Sequence, residues 1–522
     1  MRTQRLEGGV SGRSVAVDGG ALGLEDVVAV ADGGAEATLT AEAAGRMAAS
    51  RQVVRDAVDG DRIIYGVTTG FGALADTHIS REKLETLQLS LLRSHAAGVG
   101  PPLPRRMVRA LLLLRARTLA QGHSGVRPDV AERLLELLRR DLLPVVPEKG
   151  SVGASGDLAP FAHLALPLVG EGELDDGEER GPAATILRKH GLEPLSLGPK
   201  EGLSLLNGTE GMLAYGVLGL DLARRLARTA DVACALSVEA LLATDLPFRE
   251  AIHRLRPHPG QLASAANLAR LLAGSAIVAS HRESTHAVQD AYSLRCAPQV
   301  HGAVRDVLAH AEGVFTTEIG SVVDNPIVFP DTGEVVSGGN FHGQPLAFAL
   351  DFMTIATSGL GSISERRTDR ILDPQRSAGL PPFLSPDPGV NSGYMLSQYT
   401  AAALVAENRV LSHPASVDSV PTSGSQEDHV SMGWGAGRKL HEVLDNTLRI
   451  LAVEVLCAVE GIGRRSPLAP APATRAAVDA VRTVVPPLET DRVVATDIDL
   501  VAALIADGRL LHAVEDALGA LD

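Results

Sequence analysis

The tripeptide Ala154-Ser155-Gly156 sits inside the run Gly150-Ser151-Val152-Gly153-Ala154-Ser155-Gly156-Asp157-Leu158-Ala159-Pro160. Three small residues let the backbone fold back on itself, and Gly156 adds no side-chain bulk to obstruct the turn. If the Gly156 nitrogen attacks the Ala154 carbonyl, a five-membered ring closes. Loss of water from that ring and from Ser155 leaves an exocyclic methylidene. The product, 4-methylidene-imidazole-5-one (MIO), is a strong electrophile that forms without any external cofactor. An isolated Ser-Gly-Asp is an ordinary helix start, because Ser and Asp are favoured at helix N-termini. The flanks and the other polar clusters of this chain decide between the two readings.

Four such clusters stand out. Tyr65-Gly66-Val67-Thr68-Thr69-Gly70-Phe71-Gly72-Ala73-Leu74 is a glycine-rich loop carrying a tyrosine, and no Gly-Lys-Ser/Thr follows to make it a phosphate loop. In Gln289-Asp290-Ala291-Tyr292-Ser293-Leu294-Arg295, helical spacing predicts a shared face for Gln289, Tyr292 and Arg295. Arg295 offers a planar fork suited to a carboxylate, and Tyr292 offers an exchangeable proton. Gly339-Asn340-Phe341-His342-Gly343-Gln344 and Gln426-Glu427-Asp428-His429-Val430-Ser431-Met432 complete the set. Adjacent Glu, Asp and His seldom converge on one ion, and no HExxH or CxxC accompanies them, so no metal is expected. His342 and His429 read as supporting residues.

The elements that must position these groups are mostly helical. Leu39-Thr40-Ala41-Glu42 resembles a helix entry, with helix over 44–58, and a second helix is predicted over 84–93. Val130, Leu134, Leu137 and Leu138 share one face of a helix opened by Asp129. Residues 171–200 read as a polar surface excursion. A helix from about Glu210 to Thr229 follows, with more at 231–243, 259–273, 298–317, 343–366, 392–411 and 434–461. The fold class is therefore mainly α, a long-helix bundle with a smaller mixed N-terminal domain. The division expected is 1–106 with the tyrosine loop, 107–465 as the central bundle, and 466–522 as a helical tail after a Pro- and Ala-rich linker at 467–473.

The 522 residues carry a net charge of −15, which argues against a nucleic-acid partner. Three cysteines without a CxxC pair argue against a disulfide framework. The first residues lack an apolar signal core, and no apolar run is read as membrane-spanning, so a cytoplasmic protein without membrane partners is expected.

Taken together, these motifs resemble those of the histidine ammonia-lyases, within the MIO-dependent aromatic amino acid ammonia-lyases. The match rests on the Tyr65 loop, Ser94-His95-Ala96-Ala97-Gly98, Ala154-Ser155-Gly156, Asn207-Gly208-Thr209, Gln289/Tyr292/Arg295, Asn340-Phe341-His342 and Gln426-Glu427-Asp428-His429. It spans nearly the whole chain. The resemblance implies an ammonia-lyase/fumarase-like bundle, a homotetramer whose active sites draw on several subunits, and helix N-termini aimed at the electrophile. It implies elimination of ammonia from L-histidine to give trans-urocanate, the first step of histidine degradation. Arg295 would hold the carboxylate, Asn207 and Gln289 would bond the carboxylate and ring oxygen, and Tyr65 would be the base, with Tyr292 as helper or alternative. His95 and Glu427 would recognise the imidazole, with Phe341 packed near it. Addition of the amine and attack by the ring both stay open as routes. The alternative is a tyrosine or phenylalanine ammonia-lyase or an aminomutase of the same family. Thr68, Glu210, Ala291 and Gln344 differ from the family's common residues, which are Asn, Gln or Asp, Pro and Glu, respectively.

Overall fold

The structure of the chain is a computed structural model that describes residues 12–70, 79–283 and 288–522. Helices dominate, and the strands are short. The chain forms two compact units, each assembled from three separated stretches.

The first unit comprises the described residues of Met1–Leu218, Glu312–Leu350 and Ala415–Arg438. Strands Arg13–Val17 and Ala35–Leu39 pair in parallel, with Val15 opposite Ala37. Alternation buries Val15, Val17, Ala35 and Ala37. Helix Ala41–Asp59 begins at Thr40, whose hydroxyl accepts the Ala43 N–H at 3.2 Å, the cap that the Leu39–Glu42 sequence predicts. Helix Arg105–Ala120 is buried on every side from Ala110 onward and packs against helices Leu24–Ala31, Ala41–Asp59 and Pro128–Arg139. Pro128–Arg139 turns Val130, Leu134, Leu137 and Leu138 inward, as its periodicity predicts. The polar stretch 171–200 has more structure than its composition suggests. Glu173–Asp175 and Arg180–Pro182 form a hairpin, and helix Ala183–Lys189 buries Ile186 and Leu187.

The second unit comprises the described residues of Gly219–Ala311, Asp351–Pro414 and Lys439–Asp522. It holds the greater parts of helices Glu210–Ala240, Ala297–Ile319, Gln344–Leu372 and Gly433–Gly463, together with Pro259–Leu271, Met395–Leu411 and three C-terminal helices. Glu210–Ala240 is one helix of 31 residues where the sequence suggests two. Of the two polar residues at the expected break, Thr229 and Asp231, the second has its carboxylate satisfied inside the unit. The Asp231 carboxylate accepts from Ser264 at 2.6 Å, Asn267 at 3.0 Å and Arg305 at 2.6 Å. The expected linker at 467–473 is packed: Ala471 is fully buried, and its N–H donates to Glu239 at 2.7 Å.

Helix Gln344–Leu372 corrects the reading that no apolar run reaches spanning length. It is long and apolar enough by composition to cross a membrane, but 61% of its apolar window is buried inside the protein, as in a core helix.

Candidate active site

The Ala154–Gly156 turn is built from backbone that few residues tolerate. Ser155 has φ +51° and Gly156 φ +78°, both in the left-handed region. A Cβ on Gly156 would collide with the Gly208 carbonyl. Only glycine allows this approach, and Gly156 pairs there with Gly208 as a short parallel bridge. The Asp157 N–H donates to the Gly208 carbonyl at 2.9 Å, and the Gly208 N–H donates to the Ser155 carbonyl at 3.3 Å. The second motif of the sequence, Asn207-Gly208-Thr209, is thereby zipped to the first.

Four helices begin around Met212. Asp157 precedes helix Leu158–Ala165, and its carboxylate accepts the Met212 N–H at 2.8 Å and the Ser151 hydroxyl at 2.9 Å. Met212 lies in the first turn of Glu210–Ala240. A Cβ built at Gly343 or Gly433, at the starts of Gln344–Leu372 and Gly433–Gly463, would meet the Met212 sulfur, so both helix starts lie close to it. Helix N-termini carry partial positive charge, so this convergence favours negative charge developing beside the turn. Asp157 is fully buried, and burial pushes its carboxyl up to about 7.

Asn207 is held at both ends. Its side-chain N–H donates to the Asn325 carbonyl at 2.8 Å, and its own carbonyl accepts from Arg115 at 2.6 Å. Arg115 is wholly buried, pairs with Glu210 at 2.6 Å and lies 4.3 Å from the centre of the Phe161 ring. Glu210, one of the departures from the family pattern, therefore serves as the counter-ion of a buried arginine. Arg115 and Asn325 lie outside the sequence motifs described above. The available signal was one arginine inside the apolar run Ala110–Ala116, where a buried charge demands a partner.

His95 ends helix Leu84–His95, and its Nδ1 lies 2.9 Å from the Leu91 carbonyl. Burial lowers its pKa, while that carbonyl and the nearby Glu427 carboxylate pull it back up. Glu427 is half-buried, accepts the Thr422 hydroxyl at 2.7 Å and is fixed by backbone pairing with Thr422. The two residues expected to read an imidazole are thus close enough to act on one another. Phe341 is half-buried in a turn closed by the His342 N–H to the Gly339 carbonyl at 2.9 Å. His342 and His429 stack with ring centroids 5.8 Å apart.

Tyr65 is half-buried in a turn locked by Thr68. The Thr68 hydroxyl accepts the Ile64 N–H at 2.9 Å and donates to the Arg62 carbonyl at 2.7 Å. This gives a function to a second departure from the family pattern. The end of the tyrosine loop, Phe71 to Leu74, lies outside the described residues.

Gln289, Tyr292 and Arg295 belong to the second unit. The helix covers only Tyr292–Arg295, so Gln289 does not share its face, contrary to the spacing argument. The chain enters it through Ala291 at φ −62° and ψ 156°, dihedrals natural to the proline frequent there in the family. The Arg295 guanidinium lies 4.4 Å from the Tyr292 ring centre, a cation–π arrangement, and its Nε donates to the Asp290 carbonyl at 3.0 Å. Tyr292 is 72% exposed.

The family model for aromatic amino acid lyases matches residues 22–483. A histidine ammonia-lyase from Gloeobacter violaceus is 53% identical over 506 residues, covering 97% of this chain and 98% of that protein. One from Streptomyces griseus is 52% identical over 502 residues, covering 95% and 97%. Among solved structures, a histidine ammonia-lyase from Trypanosoma cruzi is similar with TM-score 0.89 and 43% identity, covering 97% of this chain and 96% of that one. A tyrosine aminomutase from Streptomyces globisporus is similar with TM-score 0.91 and 41% identity, covering 98% and 100%. A match of this extent, on a chain that binds its Ala-Ser-Gly turn to the Asn207 loop among converging helix starts, places it in a family: it belongs to the aromatic amino acid lyases.

Proposed function

We propose that this chain is a histidine ammonia-lyase, which eliminates ammonia from L-histidine to give trans-urocanate. The observation that carries the reading is the Ala154–Gly156 turn, bridged to Gly208 beneath the starts of four helices. Its left-handed Ser155 and Gly156, and a cradle that a Cβ at Gly156 would fill, suit the ring closure from which MIO forms. That group would supply an electrophile that makes the substrate's nitrogen a better leaving group.

The chain's own residues do the rest. Arg295 binds the substrate carboxylate with its two-pronged fork, and Gln289 and Asn207 add hydrogen bonds. Tyr65 Oη takes the β-proton, with Tyr292 assisting. His95 and Glu427 hold the imidazole, whose N–H a carboxylate accepts and a phenyl ring cannot offer. Phe341 packs beside the ring. The enzyme works as a homotetramer in the cytoplasm. Apolar side chains left exposed on helices Gln344–Leu372 and Met395–Leu411, among them Phe352, Ile355, Tyr399 and Val410, support the association. Free Cys234, Cys296 and Cys457 suit a reducing compartment.

The test is turnover of L-histidine, L-tyrosine and L-phenylalanine by the purified protein. Urocanate from histidine, with the other two turned over at least about tenfold less well, is expected. Preference for tyrosine or phenylalanine, or a β-amino acid product, would replace this reading with a lyase or aminomutase of other specificity.

Two substitutions test the substrate contacts. Glu427→Gln should lower kcat/KM for histidine by roughly ten- to hundredfold, the value of one charged hydrogen bond, while the near-ultraviolet absorbance of the modified turn stays intact. Arg295→Lys keeps the charge but loses the fork, and should raise KM and lower kcat/KM by about tenfold or more in steady-state assays. Unchanged kinetics in either variant would remove that residue from the site.

A further inference from the structure

A helix of four residues cannot fix its own orientation, because one turn makes too few internal bonds to offset the ordering of its backbone. In the function proposed above, Tyr292–Arg295 holds both a proton-transfer tyrosine and a carboxylate fork. Within the second unit, Leu294 anchors it by burial, at 2% exposure. A second anchor is polar. Arg367 Nη1 donates to the Ser293 carbonyl at 3.2 Å. Ser293 is the residue between Tyr292 and Leu294, so the contact falls in the middle of the helix.

Arg367 itself has no freedom to move. It is wholly buried and gives its Nε and Nη2 hydrogens to the two oxygens of Glu454, the latter at 2.8 Å. Glu454 accepts two further hydrogen bonds, from Ser237 at 2.7 Å and Ser364 at 2.6 Å. On the other side, His301 Nδ1 faces Asp231 at 2.8 Å, which leaves its Nε2 directed at Arg367 Nη1, 3.4 Å away. Asp231 is in turn held by Arg305, Ser264 and Asn267. Desolvation of so many charges is costly, and a well-packed apolar cluster would stabilise the unit as well or better. A rigid polar scaffold that terminates on one helix carbonyl is what an apolar cluster could not provide.

We infer that Arg367, braced by Glu454, is a positioning residue that sets the Tyr292–Arg295 helix so that the Arg295 fork meets the substrate carboxylate. The inference rests on the reading of Arg295 given above. Lysine at position 367 keeps the charge but cannot grip both Glu454 oxygens and also reach Ser293. Misplacement of a binding group by about 1 Å can cost up to a hundredfold.

The experiment measures steady-state kinetics of the full-length protein on L-histidine for Arg367→Lys, Glu454→Gln and Arg295→Lys, below each variant's thermal midpoint. The near-ultraviolet absorbance of the modified turn serves as a fold and cofactor control. Arg367→Lys should raise KM at least about fivefold and lower kcat less than KM rises, with absorbance unchanged, and Glu454→Gln should give a smaller rise. KM within twofold of wild type in the folded variants overturns the inference. So does a proportional fall of kcat alone that tracks thermal stability. If Arg367→Lys does not fold, Glu454→Gln decides on the same readout. A KM raised by Arg367→Lys but not by Arg295→Lys would overturn the carboxylate reading, and the inference with it. The reverse pattern would overturn the positioning role alone.

Discussion

Replacement of Ser155 by alanine should lower histidine turnover by at least about a thousandfold and leave the protein folded. In the proposed chemistry, the Ser155 side chain is the only source of the methylidene carbon. Ser151 cannot substitute for it, because it lies outside the three residues that close the ring, and its hydroxyl donates to Asp157 at 2.9 Å. What ties the turn to its surroundings is backbone, namely the Ser155 carbonyl accepting from Gly208 and the Asp157 N–H donating to it, and alanine keeps both bonds. The variant should therefore match wild type in thermal midpoint within a few degrees. It should also lose the near-ultraviolet absorbance and retain only trace turnover. Near-normal activity would show that the electrophile is not part of the reaction.

Tyr65→Phe should lower kcat by about 10²–10⁴-fold, the usual contribution of a positioned general base, with a much smaller change in KM. The ring of phenylalanine fills the same space, and the Tyr65 turn is held from its backbone by Thr68, so the loop should keep its shape. The comparison that gives the result meaning is Tyr292→Phe, whose kcat should fall less. If Tyr292→Phe proves the more damaging, the two tyrosines exchange roles.

The apolar helices of this chain were legible in its sequence because burial leaves a periodic trace. Val130, Leu134, Leu137 and Leu138 show it in Pro128–Arg139. Periodicity failed where polar residues are buried among partners distant in the chain. Thr229 and Asp231 read as a helix end, yet both are fully buried in Glu210–Ala240, and Ser264, Asn267, His301 and Arg305 satisfy Asp231. The same limit explains why Arg115, Asn325 and Arg367 escaped the sequence reading. Each acts through a hydrogen bond to a residue far along the chain, and neither composition nor spacing records such a bond. The Ala-Ser-Gly turn was legible for the opposite reason: its chemistry is local, and three consecutive residue types define it. The spacing of Gln289, Tyr292 and Arg295 suggested one helical face, but the helix is a single turn that begins only after Ala291.

The central claim is that residues 154–156 become an electrophile without help from outside the chain, and the intact mass of the purified protein tests it most directly. Ring closure with both dehydrations should leave the chain about 36 Da, or two waters, lighter than its sequence mass, and Ser155→Ala should not show that full loss. A wild-type protein at its sequence mass that still converts histidine to urocanate would contradict the account.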